Sequence, residues 1–245
     1  MTFVSDRTHN PFGMSLPCDR AVPGYGDVAA DFHVIGDHPG VHGGLETGVP
    51  FTGMDWSEPF FTTLAESGLV DAWDPDGGDL DLARTYLSYR YPCAAGASDE
   101  ADGPQASDDG AEPGEPAEGG APAESDEHRH GWPSSAEYAR LEPFFDAELR
   151  AVTAHVLLPV GGPTTAHVLR TYTARDGADP DLDALHARER RGSGFLVLPV
   201  KEPADWAGDD AAALVEALGA IRSRDFRQTA DLGRYLPGAD PYLVR

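Results

Sequence analysis

Lysine is almost missing from this chain: Lys201 is the only one, and every other permanently cationic side chain is arginine. Cysteine is nearly as scarce. Cys18 and Cys93 are the two thiols, too few for a disulfide framework and without the C-x-x-C spacing of a zinc site. Long apolar runs are lacking too, since no stretch approaches the roughly 20 apolar residues that span a bilayer. The opening MTFVSDRTHNPFGM has neither the basic nor the apolar region of a signal peptide. These absences set aside disulfide scaffolds, zinc modules and membrane partners. The expectation is a cytoplasmic, soluble chain.

Positive charge as a whole is in deficit. Acidic residues outnumber basic ones 42 to 18, for a net charge of −24 and a pI near 4.5. At low ionic strength that charge opposes binding to nucleic acid. Acid excess with a single lysine resembles halophilic proteins, however, and in molar salt the Debye length shrinks to about 3 Å. Under those conditions acidity does not exclude DNA.

What is present is a pattern of alternating strands and helices. Apolar or β-branched runs at 31–36, 83–91, 155–160 and 194–200 predict four strands. Helical spacing appears over 56–69, 137–152, 162–172, 182–191 and from Asp209 or Asp210 to Ala220. This alternation predicts an α/β fold of three layers, α/β/α, around a central parallel four-stranded sheet. Residues 1–30 read as an irregular arm, and 71–81 as a turn-rich connection. The segment 94–133 is dominated by Ala, Gly, Glu, Asp, Pro and Ser. It cannot bury enough apolar surface to offset its ordering entropy, so a disordered acidic insertion is expected there. Residues 31–93 and 134–245 then form one interrupted domain, expected to be monomeric.

The richest stretch is Phe32 to Gly53, FHVIGDHPGVHGGLETGVPFTG. A buried strand ends at Gly36 and opens into a glycine-rich loop bent by Pro39 and Pro50. Asp37, His38 and His42 follow the strand end at once, at the edge where open α/β sheets bind ligands. Two other readings stand beside this one. In one the loop is only a cover, with Asp37 a cap and Phe51 a core aromatic; in the other His33, Asp37, His38 and His42 serve a metal-dependent hydrolase, although their spacing is not diagnostic.

Gly36-Asp37-His38-Pro39-Gly40, followed by Gly48-Val49-Pro50-Phe51-Thr52-Gly53, resembles the first motif of the uracil-DNA glycosylase superfamily. The His42-Gly43 pair is similar to the spacer of one of its microbial branches, many of which carry an iron–sulfur cluster. The resemblance extends through Glu142–Leu149 and His155–Gly162 to the second-motif position at Gly194–Ala204. It implies base-excision repair of DNA carrying uracil or another deaminated base, by hydrolysis of the N-glycosidic bond. Phe51 would stack on a flipped base. Gly36, His38, Pro39 and Gly40 would line its pocket, and Asp37 and His42 would serve the chemistry.

The sequence departs from that family at three places. Glu202-Pro203-Ala204 stands where the resemblance implies His-Pro-Ser/Ala, so an acceptor replaces a donor. Neighbouring Lys201 is the expected source of positive charge, unless it simply pairs with Glu202. Tyr89, four residues before Cys93, replaces the asparagine that reads the base edge. Leu141 stands where a cysteine is implied, so an iron–sulfur cluster, which takes four ligands, is not expected. Cys18 and Cys93 are then expected to be small buried hydrophobes. The leading expectation is a glycosylase with Asp37, His42, Lys201 and Glu202 as catalytic residues. The other is a non-catalytic DNA- or nucleotide-binding relative.

Overall fold

The computed structural model describes residues 8–74, 80–94, 132–173, 179–192 and 194–233. Most of the expected insertion, including His128 and His130, lies outside the described residues, as does the C-terminal Pro241-Tyr242-Leu243. The apolar run Phe32–Gly36 forms β3, buried along its whole length. Such runs suit a strand covered on both faces. It pairs in parallel with β6 (Thr85–Tyr89) and β7 (Val156–Pro159), and β7 in turn with β9 (Leu196–Val197).

The sheet is larger and more mixed than expected. Among the described residues it has 7 strands, in the order β1 (Thr8–His9), β2 (Tyr25–Gly26), β6, β3, β7, β9 and β8 (Arg190–Arg191). The arm is not irregular throughout, because β1 (Thr8–His9) and β2 (Tyr25–Gly26) extend the sheet antiparallel beside β6. On the far edge β8 (Arg190–Arg191) pairs antiparallel with β9. The connection after α2 is also structured, since β4 (Val70–Trp73) and β5 (Leu80–Leu82) form an antiparallel pair.

Helices cover both faces. Side chains alternate across a strand, so Val34 and Leu158 face one core while Ile35 and Leu157 face the other. The first core packs against Phe60, Phe61 and Leu64 of α2 (Ser57–Glu66) and Leu214, Leu218 and Ile221 of α6 (Asp210–Arg222). The second takes Phe145, Leu149 and Val152 of α3 (Ser135–Val152) and Val168 and Leu169 of α4 (Gly162–Tyr172). A reciprocal cap between Ser134 and Glu137 starts α3. Between residues 182 and 191 only α5 (Leu182–Leu185) is helical, and the chain turns away at Ala187 with φ of 55°. The last helix, α7 (Phe226–Gly233), had no clear signal in the sequence. Among the described residues, no helix is long and apolar enough to cross a membrane.

The two cysteines are bonded to each other rather than buried separately. Backbone pairing explains how residues 75 apart meet. Val22 N–H donates to Pro92 O at 2.8 Å, and Ala94 N–H to Arg20 O at 2.9 Å, which zips the arm to the segment leaving β6. Closing a loop of that size is worth about 4 kcal/mol on the chain-entropy account. Reduction, or Cys18→Ser, should therefore lower the melting temperature by roughly 10 °C. Unchanged melting would show that the link adds no net stability.

One buried group gives the fold a pH signature. Glu148 of α3 lies inside the second core, where the Tyr86 hydroxyl donates to it at 2.6 Å. Burial raises its carboxyl to about 7. A folded value above the unfolded one means its contribution is complete below about pH 4.5 and is lost as pH rises through 7. His33 acts in the opposite sense, since burial lowers it to about 3 and its contribution is lost as pH falls from 6.5. Glu148→Gln should gain urea resistance relative to wild type between pH 5 and pH 8. A constant difference across that range would contradict the assignment.

Candidate functional site

The site is built where β3 and β6 end. Gly36 closes β3 because no other residue fits: an added Cβ would lie 2.7 Å from the Tyr89 ring and 2.8 Å from His42 Nδ1. The chain then enters α1 (Pro39–His42), a single turn started by His38. His38 is extended, and its Nδ1 accepts from Gly40 N–H at 3.1 Å, while Pro39 occupies the first helical position. His42 ends the turn and folds back, so that its Nδ1 accepts from Asp37 N–H at 2.9 Å.

Tyr89 pins the rest of the loop. Its hydroxyl accepts from Phe51 N–H at 2.7 Å and donates to His42 O at 2.8 Å. Phe51 sits at φ of 68°, a conformation costly for a non-glycine residue. The Ser57 hydroxyl secures it further by donating to Phe51 O at 2.7 Å. The Phe51 ring is fully buried against His42, Phe60 and Tyr89. Neither aromatic presents a free face or edge in this arrangement. Phe51 is packed in the first core, and the Tyr89 hydroxyl is committed to the loop.

Three of the expected residues do come together. His42 Nε2 lies 3.1 Å from Glu202 Oε2. Because Nδ1 accepts from an amide, the ring proton sits on Nε2 and points at the carboxylate. Glu202 reaches across from beyond the Val160–Val200 bridge, just before the short 3₁₀ turn opened by buried Pro203. Gly161 leaves room for it, since a Cβ there would fall 2.8 Å from Glu202 Oε2. Asp37 is 2 % exposed, and its Oδ1 accepts a hydrogen bond from the Tyr138 hydroxyl.

Lys201 is not among them. Its Nζ bonds Asp183 at 2.7 Å and Asp210 at 3.4 Å. Consecutive residues in extended chain point to opposite sides, which sends Lys201 toward α5 and α6 while Glu202 turns to His42.

Tyr138 was hidden in the apolar stripe of α3, where its ring reads as core and its hydroxyl gives no signal. The Arg90 guanidinium lies 4.2 Å from the centre of that ring. Trp132, beyond the acidic stretch, sets its indole against the His38 ring at 4.8 Å. Asp37 Oδ2, His38 Nε2 and Glu202 Oε1 are buried with no hydrogen-bond partner among the described residues. Burial lowers the His38 pKa, and nearby Asp37 offsets this only in part. Among the described residues, no group of three or more His, Cys, Asp and Glu is placed to hold a metal.

Comparison with known proteins agrees with this picture at the level of a superfamily. A stretch of 76 residues, 31% of the chain, is 40% identical to part of a curated protein, which supports a relationship to the uracil-DNA glycosylase superfamily. That protein is the type-5 uracil-DNA glycosylase of Thermus thermophilus. The match spans 35% of its length, about a third. No family model matches the chain.

Removing the Tyr89 hydroxyl tests how the loop is held. Tyr89→Phe leaves the buried Phe51 N–H and His42 carbonyl without it, at a cost of about 1–3 kcal/mol. Denaturation should show that loss, and the Phe51 amide should exchange faster. Wild-type protection at Phe51 would mean that the loop is held elsewhere.

Proposed function

We propose that this protein is a uracil-DNA glycosylase-like enzyme of base-excision repair, hydrolysing the N-glycosidic bond of a flipped-out deaminated base. The observation that carries the reading is the juxtaposition, at the carboxyl ends of parallel strands, of Asp37 and His42 from the loop that resembles the family's first motif with Glu202 from beyond the Val160–Val200 bridge. The partial identity to a uracil-DNA glycosylase supports it.

Asp37 is suited to the sugar. Tyr138 holds Oδ1 and leaves Oδ2 to face positive charge developing at C1′, or to take a proton from attacking water. His42 and Glu202 orient one another on the neighbouring side. An iron–sulfur cluster does not fit this chain, because it needs four ligands and the two cysteines are bonded to each other. No step is assigned to one.

The second reading is a DNA- or nucleotide-binding relative without catalysis. Glu202 favours it, because an ionised carboxylate opposes the negative charge that builds on a departing base. Base release from uracil- and hypoxanthine-containing oligonucleotides in molar KCl separates the two. Wild type should yield abasic product, and Asp37→Asn should be slower by roughly 10²-fold or more. No product from folded wild type would leave the binding relative.

A further inference from the structure

Cleaving an N-glycosidic bond leaves the bonding electron pair on the base, and a hydrogen-bond donor must face that developing anion. Most donors around Asp37 are already committed. The Tyr138 hydroxyl donates to Asp37, the Tyr89 hydroxyl to the His42 carbonyl, and His42 Nε2 to Glu202. Lys201 is held by two carboxylates elsewhere. Arg90 Nε has no hydrogen-bond partner among the described residues, but its guanidinium is stacked on the Tyr138 ring, and a cation there suits a flanking phosphate.

His38 is different. Its Nδ1 accepts from Gly40 N–H at 3.1 Å. An amide only donates, so Nδ1 keeps its lone pair and the ring proton sits on Nε2. That Nε2 is buried without a partner among the described residues, on a side chain that is 0% exposed. Leaving such a donor unsatisfied is costly, and a ligand acceptor would relieve it. Burial keeps the imidazole neutral, consistent with the cap geometry. Trp132, itself 37% exposed, packs against the ring in a T-shaped arrangement with 4.8 Å between ring centres.

We propose that His38 Nε2–H hydrogen-bonds the departing base, with Trp132 moving aside to admit it; this rests on the glycosylase reading above. In the balanced step, water oxygen bonds to C1′ and the C1′–N bond breaks, its electron pair leaving on the base. The water proton passes to Asp37 and from there to solvent or the released base. His38 keeps its own proton throughout. It stabilises the anion without acting as an acid, and helix α1 fixes its direction.

The test is single-turnover release of uracil and of 5-fluorouracil from one oligonucleotide context, using the full chain and His38→Ser. Serine retains an oxygen to cap Gly40 N–H, so α1 keeps its start. Fluorine makes the second base the better leaving group, less dependent on a donor. His38→Ser should lose roughly 10²-fold on uracil and several-fold less on 5-fluorouracil. Equal losses on both bases, or none, would overturn the assignment. His38→Asn, which also caps, gives the same comparison if the serine variant does not fold. Release of neither base by folded wild type would instead remove the glycosylase reading, and the role of His38 with it.

Discussion

The Tyr89 hydroxyl is the point on which the loop from Gly36 to Gly53 hangs. It ties Phe51 N–H to the His42 carbonyl, two groups nine residues apart on a chain segment with little secondary structure of its own. With that tie in place, Phe51 is held at positive φ, its ring is packed into the first core, and His42 is turned so that Asp37 N–H meets Nδ1. The ring protons of both loop histidines follow from backbone geometry. His42 points its proton at Glu202, and that of His38 meets no acceptor among the described residues. Electrostatics at the site are thus set by amide positions as much as by charged side chains.

That arrangement rests on the sheet behind it. Buried β3 and β6 place their ends side by side, and Gly36 allows Tyr89 and His42 to close over the strand end. α3 crosses the opposite face with Tyr138 at the candidate site and Glu148 in the core, so one helix serves both the site and the packing behind it. The disulfide anchors the arm beside the same strand exit. Its neighbours Tyr91, Leu141 and Tyr138 form a small apolar cluster next to Asp37.

The parts legible in the sequence are those set by local pattern. Four apolar runs mark the inner strands, and glycine and proline punctuation marks the loop, because burial and turn chemistry act on neighbours in sequence. The short outer strands β1, β2 and β8 were not legible. Each is two residues long and exists through pairing with a distant partner. The disulfide escaped for the same reason, as the backbone pairing that joins the arm to 92–94 is tertiary. Lys201 drew attention by its rarity, yet alternation along extended chain points it away from its neighbour Glu202. Tyr138 escaped because a helical stripe reports which face a ring packs on, not where a hydroxyl ends. Phe51 was recognisable as a special position, but its role in the loop, pinned by Tyr89, shows only in three dimensions.

On the glycosylase reading, Asp37, His38, His42 and Glu202 surround a nucleotide taken out of the DNA stack. A crystal structure with an oligonucleotide carrying 2′-fluorinated deoxyuridine, whose glycosidic bond resists cleavage, tests it most directly. The sugar is expected against Asp37 Oδ2, with a uracil oxygen within hydrogen-bond distance of His38 Nε2 and Trp132 displaced. A uracil still stacked in the DNA, or bound away from the β3 and β6 strand ends, would contradict it.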